Sequence, residues 1–410
     1  MNTNAPLIDN NETEAPNPGA FLSAGFRPFF LFAGLYGLVP ILAWVWAYLG
    51  DGDTPGEFAP AYWHGHEMIF GFVIAAATGF LLTAVPNWTG SQPFKGTPLA
   101  VLALIWVSGR LAMWFGWPLG PAFVALVDLS MIPVLIIYIG RRLFVHGVSA
   151  NYIVLVILGV LFIANLSMHL EALGIFPDSA SLGLYLGVFA VVFLVTMISG
   201  RVIPVFTANV LFRKGINVYT ETSTKVTRLV VVSVVLAIIP NLFGGDSDLA
   251  RYIAGALTLL AAIALFIRMG RWKSFMILDE PIMWILHAGH FWLIIGFALL
   301  AAANFSDDIS RDAGIHALTS GTMGTMIIAM LTRVALGHSG RVIKASTPII
   351  VAYYMIIVGS VMRVLAALFQ LHLPAEGYAI LIGSAGLIWA GGFAVFVIVF
   401  WPILTRPRAD

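Results

Sequence analysis

Long apolar runs, each about as long as a bilayer is thick, alternate with short polar connections along nearly the whole chain. A bilayer core takes about 20 apolar helical residues. Twelve runs meet or approach that length, at about 28–49, 67–86, 98–117, 120–139, 151–171, 182–203, 226–243, 249–268, 281–303, 314–336, 347–371 and 378–403. The pattern predicts an all-α fold, a polytopic membrane helix bundle of about 12 transmembrane helices. The seventh run is the weakest, being short and carrying Pro240. Residues 1–24 have neither a basic region nor an apolar one, so they read as a disordered tail with no cleavable signal. Residues 25–410 then form one transmembrane domain. The longest inner connection, about 204–225, separates two sets of six spans, 25–203 and 226–403, and no internal repeat is visible between them.

Composition agrees. The chain is 60% apolar and 10% charged, against roughly 25% charged in a soluble domain. The basic residues fall almost entirely on one side. With the N-terminus placed in the cytoplasm, 17 of the 21 Lys and Arg lie in inner segments, and only Arg251 and Arg311 lie in outer loops. The outer loops are acidic, with Asp51, Asp53, Glu57, Asp178, Asp246, Asp248, Asp307, Asp308 and Asp312. Cytoplasmic loops retain positive charge, so both termini are expected inside. A net charge of +1 gives no reason to expect nucleic acid as a partner.

There is no Cys and there are nine His. The lack of Cys excludes iron–sulfur clusters, thiolate copper or zinc sites and covalently attached haem. A haem here would need side-chain ligands such as His, and copper would need His, Met or carboxylate. Ionisable groups at membrane depth are costly and point to function. The stretch Trp63-His64-Gly65-His66-Glu67-Met68 puts two imidazoles and a carboxylate at the mouth of the second run. On a continuous helix, residues i and i+2 point to nearly opposite sides, so His64 and His66 are expected to serve different partners. His169, His316 and His372 fall at similar outer depth, and Glu171 follows His169 closely. His287 and His290 lie near the inner end of the ninth run and share a face; His338 follows the inner end of the tenth run, and His146 lies in a short inner loop. Arg110 and Asp128 flank the turn near Trp117-Pro118 and should meet as an ion pair, the cheapest way to keep both charged in a membrane. Arg363 has no evident acidic partner and suits a haem propionate.

Several blocks together resemble the NnrS family of bacterial membrane proteins. They are Arg27-Pro28-Phe29-Phe30; the Trp63–Met68 stretch running into Gly79-Phe80-Leu81-Leu82-Thr83-Ala84-Val85-Pro86-Asn87-Trp88-Thr89-Gly90; Gly109-Arg110; Gly200-Arg201-Val202-Ile203-Pro204-Val205-Phe206-Thr207; His316-Ala317-Leu318-Thr319; and Thr332-Arg333 through Gly337-His338-Ser339-Gly340-Arg341. The resemblance covers residues from about 24 to 345. It implies a protein of the bacterial cytoplasmic membrane that holds haem b and copper and acts in nitric oxide metabolism, in denitrification or in defence against nitrosative stress. It carries the metal-ligand role to His64, His66, His169, His287, His316 and His338, and places an aromatic residue where this chain has His290. Arg110, Arg201 and Arg333 stand in or beside the same blocks and join Arg363 as expected cofactor-binding cations.

The reading that follows is an oxidoreductase of the nitric oxide reductase type. Nitric oxide arrives through the bilayer, an unidentified donor supplies electrons, and Glu67 or Glu171 relays protons to an outer His cluster. His287 with His338 would form a second, inner site. Two other readings compete: a sensor or cofactor-assembly protein that binds nitric oxide or metal without turnover, and a secondary transporter. Against the transporter, the loop 86–98 lacks the Asp-Arg-rich signature of major-facilitator proteins, and the His lie toward helix ends rather than at a midplane substrate site.

Overall fold

The computed structural model describes residues 18–409 except 51, 57, 221, 222 and 246. Among them, twelve helices are long and apolar enough to cross a membrane. They are α1 (Phe26–Leu49), α2 (Pro60–Thr89), α3 (Thr97–Phe115), α4 (Pro121–Val145), α5 (Ser149–Ala172), α6 (Ser179–Arg213), α7 (Thr224–Phe243), α8 (Asp248–Gly270), α9 (Pro281–Phe305), α10 (Arg311–His338), α11 (Thr347–Phe369) and α12 (Ala375–Thr405). No strand is found among the described residues. Number and order match the expected spans, but several helices outrun their apolar cores. Pro60 stands in the first turn of α2, where its missing N–H is no loss. His64 and His66 therefore lie inside the helix rather than at its mouth. The left-handed Gly90 (φ 63°) ends the same helix and accepts no side chain there without strain.

Residues 1–17 of the expected tail, and Asp51, Glu57 and Asp246 of the acidic loops, lie outside the described residues. The remainder of the tail is folded. Pro18–Phe21 form a short helix beside α12, and the Leu22 carbonyl accepts a hydrogen bond from Gly96 N at 2.9 Å.

α12 packs on both α11 and α1, so the last span closes against the first. The close approach uses glycine. A Cβ at Gly34 would stand 2.7 Å from Phe396, and one at Gly37 would stand 2.7 Å from Phe393. α2 and α10 are the most enclosed spans, each 78% buried over its apolar window. Both carry the same irregularity. α2 widens to a π-helix over Glu67–Val73, directly after His66. α10 widens over Ala317–Met323, directly after His316. A wider turn frees carbonyls from the α-helical ladder, and hydrocarbon offers them no partner. Side chains supply it: Trp106 Nε1 donates to the Gly71 carbonyl (3.2 Å), Trp389 Nε1 to Ser320 (3.1 Å), Ser320 Oγ to His316 (2.7 Å) and Thr322 Oγ1 to Ala317 (3.2 Å).

The His-bearing irregular turns of α2 and α10 lie toward the end of the bundle that carries the α1–α2, α5–α6 and α9–α10 connections. That end is termed the mouth below.

Candidate functional site

His64 and His66 diverge as their spacing requires. His64 faces a cavity of about 400 Å3, within the range of small-molecule and cofactor sites. His316, Arg363, Trp44, Tyr185 and Trp389 also line it. The His64 ring stacks on Trp44, with centroids 4.8 Å apart. Among the described residues, His64 Nδ1 is buried without a hydrogen-bond partner, and so is Arg363 Nη1. His316 Nδ1 lies 2.8 Å from the Asp312 carbonyl. A carbonyl only accepts, so the proton sits on Nδ1 and Nε2 keeps its lone pair, the arrangement by which proteins orient a metal-ligating imidazole. Two imidazoles on separate helices, with a guanidinium on the same wall whose Nη1 has no hydrogen-bond partner among the described residues, are a donor set suited to haem iron and to a propionate.

His66 turns the other way, into a fully buried polar cluster. Its Nε2 lies 3.2 Å from Asp128 Oδ2 and 2.9 Å from Asn165 Oδ1. His169 Nε2 lies 2.9 Å from the same Asp128 oxygen, and Asn165 Nδ2 donates to it at 2.8 Å. Ligand atoms of His66, Asp128 and His169 all fall within 4.8 Å of one another. Two imidazoles and one carboxylate suit copper or another divalent transition metal. The surroundings of this trio are also ordered. His66 Nδ1 faces Glu67 Oε1 at 2.9 Å, the carboxylate–histidine arrangement that supports a metal on the far nitrogen. Arg110 bridges the carboxylates, donating to Glu67 Oε1 at 2.6 Å and to Asp128 Oδ1. Tyr36 donates to Glu67 Oε2, and Trp114 Nε1 reaches the same oxygen at 3.0 Å. Arg110 and Asp128 thus pair across the α3–α4 hairpin as expected. Arg110 is spent inside this cluster and is not among the cavity-lining residues.

The four imidazoles expected at one depth are therefore divided between two sites. His64 and His316 share the cavity, while His66 and His169 share the acidic cluster. Depth was readable from sequence, but the angle of each helix around the bundle was not. His372, of the same depth, is exposed in the α11–α12 loop.

Toward the other end, His287 lies between Thr207 Oγ1 (2.9 Å) and Ser274 Oγ (2.8 Å). His290 is fully buried, with its ring 4.5 Å from Trp272 and Nδ1 3.3 Å from Ser199 Oγ. His338 has different surroundings, its exposed ring 5.9 Å from Phe26 at the start of α1. Arg201 donates to Asn151 Oδ1 at 2.8 Å and ties α6 to the start of α5. Arg333 lies over the Phe206 ring at 4.0 Å. Glu171 accepts from Ala180 N at 2.7 Å and caps the start of α6; among the described residues it shares no hydrogen bond with the His66 cluster.

Sequence reasoning missed Tyr36, Trp114, Asn165 and the cavity aromatics. Asn165 stands four residues before His169 and so shares its helical face, a signal that was present. Tyr36 and Trp114 carry no such mark in a chain with 11 Tyr and 12 Trp.

A twelve-span helical membrane protein with two neighbouring His-bearing sites at its mouth, a cavity and a buried acidic cluster, is thus defined. The chain belongs to the NnrS family: the family model described as NnrS protein matches residues 20–408. No curated protein matches the chain.

Proposed function

We propose that this protein holds haem b in the mouth cavity and copper in the neighbouring acidic cluster, and uses them on nitric oxide. The observation that carries the reading is the division of labour within His64-Gly65-His66: one imidazole enters a cofactor-sized cavity and the other enters a buried trio of metal-ligand type. His64 and His316 would hold the haem, and Arg363 would suit its propionate. His66, Asp128 and His169 hold the copper. Haem iron, when bound, supplies nitric oxide binding and one-electron chemistry. The chain's own residues set the surroundings. Trp44 fixes the plane of His64, and the Asp312 carbonyl fixes the tautomer of His316. Glu67 sits at the junction of Tyr36, Arg110 and His66, where a proton can be held or passed. Electrons come from a donor that the family resemblance leaves unspecified. The acidic mouth loops and basic opposite loops support a cytoplasmic membrane location with both termini inside.

One observation favours a second reading, in which the acidic cluster is a proton-holding network without metal. Asp128 already has charged and polar partners on both oxygens, and His66 faces carboxylates with both nitrogens. Such a protein would bind nitric oxide at haem without turning it over.

The test is a reduced-minus-oxidised optical spectrum with metal analysis on purified wild type and four variants. His64→Ala and His316→Ala are expected to lose the haem bands and keep copper. His66→Ala and His169→Ala are expected to lose copper and keep haem. Haem without copper in the wild type selects the second reading; folded protein with neither overturns both.

A further inference from the structure

A second, smaller cavity lies beside the first. It measures about 80 Å3 and sits among α1, α2, α6 and α10, with Phe30, Ala76, Val191 and Met326 in its wall. Its lining residues are apolar throughout. Two residues line both cavities, Val73 and Met323. Val73 is the last residue of the π segment in α2, and Met323 is the last residue of the π segment in α10. The two irregular turns therefore end at the partition between the cavities. On the far side, Ala77, Phe80, Val195, Ile198 and Ile327 are half-buried, so this space approaches the surface that lipid would cover.

We propose that the small cavity binds an apolar diatomic gas taken from the bilayer and passes it between Val73 and Met323 into the mouth cavity. Size and polarity choose the ligand. A water molecule in the liquid occupies about 30 Å3 and needs two to four polar partners to stay in a protein interior. This space has room for one or two diatomics, offers no polar partner, and is too small for a porphyrin or quinone ring. Enclosed apolar cavities stay dry and take up xenon, and this smaller space, open on its lipid side, shares their apolar lining. The partition can yield, because Met323, Met326 and Met330 all line the cavity from one side of α10, and Met side chains are unbranched and adaptable. That the gas is nitric oxide rests on the haem reading above; that a gas site exists does not.

Crystals of the whole protein pressurised with xenon test the site. Xenon is expected between Phe30, Ala76 and Met326, and is expected to be absent from Ala77→Phe, whose ring fills the space from its half-buried mouth. Xenon in other apolar voids of the same wild-type crystals, with this one empty, overturns the site. Flash photolysis of carbon monoxide from the haem-loaded protein tests the passage. Recombination is expected to change several-fold in Ala77→Phe with unchanged haem bands. Unchanged recombination in a variant that no longer takes xenon overturns the passage. Xenon in wild-type protein that holds no haem would support the gas site while overturning the haem reading, so the two failures are distinct.

Discussion

Arg110 decides the character of the buried cluster. Its guanidinium meets Glu67 and Asp128 with two different nitrogens, so one cation satisfies two carboxylates that are fully buried. Removing one partner of a buried ion pair costs about 3–5 kcal/mol, because the charge left behind has no water. Arg110→Ala is expected to lower stability by at least that much, read as the thermal unfolding midpoint in detergent. Arg110→Lys should recover part of it only, since an ammonium does not reproduce the planar fork. Glu67 has a different test. It buttresses His66 from the side opposite Asp128, and groups in that position typically change metal affinity 10–100-fold. Glu67→Gln is expected to weaken copper by that factor, measured by competition with a chelator, with the haem bands unchanged. A variant that binds copper as wild type does would leave Glu67 as a purely structural acid. At this scale the sequence was informative wherever spacing fixes direction. The divergence of His64 from His66 follows from i and i+2, and the meeting of Arg110 with Asp128 follows from similar distances to one turn. It was silent where direction depends on how helices rotate against one another, which is why Tyr36 joins Glu67 without warning.

The π segments set that rotation. Each places its His one residue before the wide turn, so the imidazole-bearing ends of α2 and α10 are turned relative to the rest of their helices. Hydropathy cannot show this, because a π turn and an α turn are equally apolar; the pairs Gly71–Trp106 and Ser320–Trp389 that satisfy the freed carbonyls join separate spans. A π turn inside an α-helix accommodates one extra residue. Deleting Gly71 is expected to restore a regular helix and swing the His64–His66 end by about 100°, one residue's share of a 3.6-residue turn. His64 would leave the cavity and His66 would leave Asp128 together. The measurement is haem and copper content of the deletion variant, checked for helicity by circular dichroism. Loss of both cofactors from a helical protein is the expected result. Retention of both would mean that the π turn does not aim the histidines.

For the whole molecule, hydropathy gave the number and order of spans because each crossing needs about the same apolar length. The seventh segment, weak in sequence, is a full span at Thr224–Phe243 despite Pro240. Which end faces which compartment is a separate matter, carried by charge alone. The opposite end holds Arg271, Lys273, Arg341 and Lys344, and the mouth loops hold Asp178, Asp307 and Asp308. Positive loops resist translocation, so the mouth should face outward and the inner His287 and His290 should lie on the cytoplasmic side. The native absence of Cys makes the test direct, because a single introduced thiol is the only one in the chain. Asp308→Cys and Lys344→Cys both stand at exposed loop positions. With a membrane-impermeant maleimide on intact cells, Asp308→Cys is expected to label at once, and Lys344→Cys only after the membrane is opened. The reverse order would invert the protein. It would then put the cavity and the His66 cluster on the cytoplasmic side, and the proposed route of electrons and protons to the cavity would have to be drawn from there.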